Sequence, residues 1–191
     1  MTNVEPIKSE RNADAFLFQL IMIIVCLVVK KCQNAVPNLR RQCMATAELR
    51  EVGLMHVQIG DFIEVGDGPR GKRLVVDVPG VTLESDRVKA SLATNDAADW
   101  GTLSNDGKLI ALDVRFTLKT DDGAYIYVEY GGRADFETLI VAAAPTFQTG
   151  SEKYSWLNSV QAVAAGQANL ETGKLVYRLY EVKVTAEEGL V

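Results

Sequence analysis

The sequence is poor in the groups that metal, redox and nucleophilic chemistry usually need. Its three cysteines, Cys26, Cys32 and Cys43, all lie in the first 43 residues, so the rest of the chain has no disulfide, zinc thiolate or cysteine nucleophile to draw on. That usage suits a reducing compartment. His56 is the single histidine, and any Ser-His-Asp arrangement or multi-histidine metal site would rest on it alone. Set in Leu54-Met-His-Val-Gln58, it reads as a partly exposed strand residue. There is no Asn-x-Ser/Thr sequon and no Walker A sequence. No metal and no cofactor are therefore expected, and catalysis, if present, falls to carboxylates, arginine and tyrosine.

Positive charge is scarce where nucleic acid would need it. The net charge is −5, but residues 1–43 carry six Lys/Arg against three Asp/Glu, which leaves fourteen against twenty-two beyond them. An acidic domain without a basic stripe argues against nucleic-acid binding. Long hydrophobic runs are nearly absent too. The one that exists, Ala15 to Val29, is interrupted only by Gln19 and followed by Lys30-Lys31 and Arg40-Arg41. It is short of the roughly 20 residues that cross a bilayer upright, and the mixed charges before it do not make a secretory n-region. Two readings stand. Residues 1–43 form a hydrophobic helical extension that anchors the protein, with the positive flank keeping the globular part cytoplasmic. Alternatively, and favoured by the change in composition, charge and cysteine usage at Met44, they lie outside the working protein. The expected location of the domain is cytoplasmic in both cases.

What is abundant is β-like text. From Leu54 onward, short runs alternate with Gly, Asp, Asn and Pro: Met55 to Val65, Lys72 to Val78, Arg87 to Leu92, Leu109 to Leu118, Ala124 to Tyr130, Ser159 to Ala164 and Leu175 to Val184. This spacing predicts an all-β sandwich or barrel, and 48% hydrophobic residues supply one core. Phe136 to Ala144 fits a short helix or a strand equally well. Gly66-Asp-Gly-Pro-Arg-Gly71 matches G-x-G-x-x-G, but a strand-like Lys-Arg-Leu-Val-Val follows instead of a helix, so it reads as a turn.

The sharpest local expectation is the hairpin around Thr120-Asp-Asp-Gly-Ala124. A three-residue loop with Gly123 in the left-handed region sets Leu118 opposite Ile126 and Phe116 opposite Val128. The other face then sets Arg115 opposite Glu129 and Thr117 opposite Tyr127, with Asp113 two positions along. A charged cluster of Asp113, Arg115, Tyr127 and Glu129 on one sheet face is either a solvated exterior or the wall of a lumen, and the two have the same period. Tyr154-Ser-Trp-Leu-Asn158 adds two aromatic rings and an amide, which fit core or pocket.

Taken in order, Gly68-Pro-Arg-Gly-Lys-Arg73, Asp99-Trp100, Asp106-Gly107, Leu112-Asp-Val-Arg-Phe-Thr-Leu118, Thr120-Asp-Asp-Gly-Ala-Tyr-Ile-Tyr-Val128, Phe147-Gln-Thr-Gly150, Tyr154-Ser-Trp-Leu-Asn158, Gly166 and Tyr180-Glu-Val182 resemble the family called domain of unknown function 3237, also UPF 0311. The resemblance covers roughly residues 53–184. It implies a single antiparallel β-barrel similar to the calycin and allene-oxide-cyclase type, holding a small apolar molecule. Some fungal relatives look like cyclases or isomerases of aromatic secondary metabolites. The expectation that follows is a cofactor-free lyase or isomerase of aromatic or polyketide-like molecules. Asp113 or Asp99 would act as general acid or base, Arg115 would stabilise an enolate, and Tyr127 would donate a hydrogen bond. Trp100, Glu129, Tyr154, Trp156 and Asn158 would contact substrate. The alternative is a non-catalytic barrel that binds such a molecule or self-associates. Expected partners are a small aromatic molecule and a further copy of the chain.

Overall fold

Alternation along the longest strands decides which side chains face inward. The computed structural model describes residues 45–186, so the extension, its apolar run and the proposed start at Met44 lie outside the described residues. The described residues form eleven strands: β1 (Ala45–Gln58), β2 (Phe62–Gly68), β3 (Gly71–Asp77), β4 (Gly80–Glu84), β5 (Lys89–Leu92), β6 (Ala98–Leu103), β7 (Leu109–Thr120), β8 (Tyr125–Asp135), β9 (Ile140–Gln148), β10 (Ala162–Asn169) and β11 (Lys174–Ala186). They belong to a compact unit, Ala47–Val184.

Eight of them close into an antiparallel barrel in the order β7-β5-β4-β1-β11-β10-β9-β8, with β8 returning to β7. The other three, β6, β3 and β2, extend the sheet from β7. This branching is possible because β7 has twelve residues and shares one edge between two neighbours. Its Leu118–Thr120 end pairs with β5, and its Ile110–Arg115 stretch pairs with β6. Pro79, which lacks an N–H to give to a ladder, falls between β3 and β4, where the chain passes from the extension into the barrel.

The β7–β8 hairpin has the expected register: Leu118 opposite Ile126, Phe116 opposite Val128, Thr117 opposite Tyr127 and Arg115 opposite Glu129. Gly123 has φ +92°, and its N–H donates to the Thr120 carbonyl at 2.9 Å. Inward positions make a continuous core. Leu118, Ile126, Val128, Leu157 and Leu179 are fully buried, and Phe116, Tyr130 and Tyr177 stack edge to face among them. Each such side chain contributes about 1.5–3 kcal/mol of burial.

One end of the barrel is sealed. The 3-10 segment Ser155–Ser159 follows β9 and drives Leu157 into the core. Tyr154, buried beside it, donates its hydroxyl to Asp122 Oδ1 at 3.0 Å in the β7–β8 turn. Asn158 pairs with both backbone groups of Thr149: its Oδ1 accepts from the Thr149 N–H at 2.8 Å, and its Nδ2 donates to the Thr149 carbonyl at 2.9 Å.

Several expectations change. The run Met55 to Val65 is broken at 59–61 into β1 and β2, and β4 and β6 are strands that short polar-interrupted text concealed. Ser159 ends the 3-10 segment, so β10 begins only at Ala162. Phe136 to Ala144 resolves as a turn followed by β9. No helix among the described residues is long and apolar enough to cross a membrane.

Candidate functional site: a buried carboxylate at the open end of the barrel

The in-and-out alternation of β7 puts Ile110, Leu112, Val114, Phe116 and Leu118 inward, so Asp113 and Arg115 point outward. The two form an ion pair at 2.8 Å with their side chains 49% and 50% exposed. Beside them Tyr127 donates its hydroxyl to Glu129 Oε2 at 3.2 Å, also in solvent. The Arg115 guanidinium lies 5.8 Å from the half-buried Trp100 ring, which shares that outer face. These five residues do come together, but on the exterior around shallow depressions lined by polar groups. The sheet's period allows no other outcome once the apolar set of β7 and β8 fills the interior.

The C-terminal candidates are committed to the sealed end. Tyr154 and Asn158 hold the turn and the 3-10 segment as described, and Trp156 lies under Arg87, whose Cζ is 3.5 Å from the ring centre. Lys153 bonds Asp122 at 2.5 Å. That contact, then Thr120 and Tyr154, holds the Asp122 carboxyl below the usual range. None of the three lines the cavity described next.

Asp99 alone among the expected site residues lines an interior cavity. A cavity of about 90 Å³ lies toward the end where β1 passes to β2, β8 to β9 and β10 to β11. Its walls are Val57, Val76, Ile110, Leu112, Val114 and Val141, its rim includes Ile59, Phe62, Phe136, Leu139 and Leu170, and Asp99, Tyr130 and Tyr177 also line it. Phe62 and Leu170 are about half exposed, so the cavity reaches the surface there. Leu139, at the rim, holds φ 57°, a conformation uncommon for a branched side chain. Asp135 fixes the turn before it by accepting the N–H groups of Glu137 and Thr138 at 2.8 and 2.9 Å.

Local backbone structure explains how a carboxylate comes to sit there. The β6–β7 ladder pairs Asp99 with Val114 and Thr102 with Ala111 but opens between them, at Trp100-Gly101 and Leu112-Asp113. Side chains fill the gap. Asp99 Oδ1 accepts the Asp113 N–H at 2.9 Å, and Arg73 Nη1 donates to the carbonyls of Trp100 and Gly101. Glycine at 101 leaves room for Ile110, whose Cδ1 a Cβ there would meet at 2.3 Å and displace. Asp99 is only 7% exposed; its Oδ2 makes no hydrogen bond to the described residues and keeps contact with solvent.

Burial is the main cause that raises the Asp99 carboxyl to about 6. The Asp113 N–H opposes the shift, the Asp113 charge adds to it, and the Arg73 guanidinium again opposes it. Burial also holds the Tyr130 phenol well above its ordinary value, followed by the neighbouring Tyr177 hydroxyl. Tyr177 is raised by burial as well, and the Asp99 charge pushes both phenols the same way. The result is one carboxyl poised near neutrality and two neutral phenols in an apolar chamber, a combination suited to moving or sharing a proton. Tyr130 and Tyr177 were not among the expected residues. Their signal was present: Tyr130 continues the inward series Ile126-Val128, and Tyr177 the series Leu175, Leu179.

Comparisons with known proteins agree on the fold. A UPF0311 protein of Rhodopseudomonas palustris (strain TIE-1) is 24% identical over 153 residues, covering 72% of this chain and 97% of its own. A crystal structure described as a beta-barrel like protein, from Acinetobacter baumannii AYE, has 29% identity and a TM-score of 0.64, covering 72% of this chain and 97% of that one. A structure described as an enzyme from Penicillium herquei superposes with a TM-score of 0.54 at 22% identity, covering 75% and 98%. Residues 47–182, nearly the whole compact unit, match the family described as "Protein of unknown function (DUF3237)", and the chain belongs to that family.

Proposed function

We propose that the protein binds a small apolar molecule in the barrel cavity and exchanges a proton with it through Asp99, as a cofactor-free lyase or isomerase of aromatic or polyketide-like compounds would. The observation that carries this reading is the buried carboxyl, raised to about 6 in a chamber lined, apart from Asp135, by hydrocarbon and phenols. A general acid or base works best when its pKa lies near the working pH, and a protein does not bury an unpaired carboxylate without a cost that function can justify. The Tyr130 and Tyr177 hydroxyls would donate hydrogen bonds to a developing oxyanion. The calycin- or allene-oxide-cyclase-like character implied by the family resemblance fits a barrel with an internal cavity, and the Penicillium herquei neighbour described as an enzyme is compatible with chemistry in such a lumen.

A carrier without catalysis is favoured by one observation. The Arg73 guanidinium is spent on backbone carbonyls, and no cationic side chain lines the cavity to hold an enolate. Incubating the protein with small phenols and ketones in D2O separates the readings. Deuterium entering carbon positions of a bound compound, lost in Asp99→Asn, supports proton transfer, while binding without exchange leaves a carrier. Absence of any binding overturns both.

A further inference from the structure

The charges that line the cavity have one sign. Of the residues lining it, only Asp99 and Asp135 are charged, both acidic, and the turns at this end add Asp61, Asp106, Glu137 and Glu171 to the acidic side. Of the basic residues at this end, Lys108 is paired with Glu137 at 2.6 Å and Lys72 with Glu64 at 2.5 Å, while Arg133 and Lys174 are exposed and outnumbered by the carboxylates. At the inner end, Asp99 is more than nine-tenths buried, with one oxygen held by the Asp113 N–H and the other in contact only with solvent. A carboxylate in that position repels an anionic ligand and can take a further donor in place of that solvent, most strongly one that is itself charged. The rim is lined by the rings of Phe62 and Phe136, and the interior by those of Tyr130 and Tyr177, aromatic groups of the kind that attract ammonium ions.

Size narrows the choice further. About 90 Å³ is less than the roughly 150 Å³ of an apolar cavity that holds benzene. A ring therefore fits at the open rim, with a short arm reaching inward.

We propose that the cavity is selective for small arylalkyl amines, the ammonium group pairing with Asp99 at the inner end and the ring resting between Phe62, Phe136 and Leu170 at the rim. The inference rests on the reading of this lumen as a ligand cavity. It goes beyond that reading by fixing the charge of the ligand and the direction in which it enters. An acidic mouth assists arrival of such a cation, because fields of one sign concentrate oppositely charged ligands in a cleft.

The test uses three probes that differ mainly in the headgroup: benzylamine, benzyl alcohol and phenylacetate. Each is titrated into the full-length protein at pH 7.5 and low salt, and followed by NMR or calorimetry. Benzylamine is expected to bind roughly tenfold or more tightly than benzyl alcohol, as a charge-assisted hydrogen bond in place of a neutral one implies. Phenylacetate is expected not to bind. In Asp99→Asn the preference should collapse while benzyl alcohol keeps its affinity. Equal affinity for amine and alcohol, or a preference that survives Asp99→Asn, overturns the amine assignment and leaves the ligand cavity standing. Failure of all three to bind overturns the cavity reading itself. Should Asp99→Asn not fold, the wild-type ranking decides alone, and Leu112→Phe, which narrows the chamber, should weaken amine and alcohol together.

Discussion

Replacing Asp99 with asparagine should make the protein more stable at neutral pH, and the gain should vanish in mild acid. The carboxyl is raised from 3.8 to about 6, chiefly by burial. A folded-state value above the unfolded one means that the native protein holds its proton more tightly. Its stabilising contribution is therefore complete below about pH 4 and is lost as the pH rises through about 6. With 1.36 kcal/mol for each pKa unit, the loss is about 3 kcal/mol between those limits, an upper figure because the group keeps a little solvent contact. Asparagine can accept the same Asp113 N–H through its own Oδ1 and never charges, so it escapes that loss. Urea denaturation of both forms at pH 4.5, 5.5, 6.5 and 7.5 gives the difference directly. Their stability gap should widen in favour of the variant between about pH 4 and 6, reach half its size near 5, and level off above 6. A gap that does not change with pH would refute the claim that a desolvated carboxylate sits in the chamber.

Three further outcomes follow from the geometry. Gly123→Ala should cost about 1–2 kcal/mol in chemical denaturation through backbone strain alone, because φ is +92° and a Cβ would meet nothing within 4 Å. Asn158→Leu should cost about 1–3 kcal/mol by leaving both backbone groups of Thr149 without partners, and calorimetric melts of the two forms will show it. The double variant of Asp113→Asn with Arg115→Met should change stability by only about 0–1 kcal/mol, as exposed pairs do, and should leave ligand affinity in the cavity unchanged. Loss of binding in that variant would relocate the site to the barrel's exterior.

The hairpin was legible residue by residue because two constraints coincide there: a turn that demands a glycine and an alternation that permits only one register. Barrel closure was less so. That β7 carries β5 at one end and β6 at the other depends on contacts between segments far apart in sequence, and β4 and β6 are too short to show a period of their own. The charged residues Asp113 and Arg115 drew notice because they interrupt an apolar strand, yet interruption every second residue is also what an exterior face looks like. Asp99 stood beside an aromatic residue in a polar stretch and carried no such contrast. Its importance comes from an opened ladder and from Arg73, twenty-six positions earlier, neither of which any local pattern encodes.

Closure of the barrel at one end by Tyr154, Leu157 and the Asp122 clamp leaves the rim as the cavity's route to solvent. Traffic is then a single file: an occupant must leave before the next can enter, and no molecule is displaced from behind. For an occupant bound as proposed, the rim shares with Asp99 the setting of residence time, through Leu139 in its left-handed conformation and the Asp135-locked turn that carries it. Changes in the three rim turns would then alter passage in and out, while the sealed end and the hydrophobic interior go on specifying the same fold.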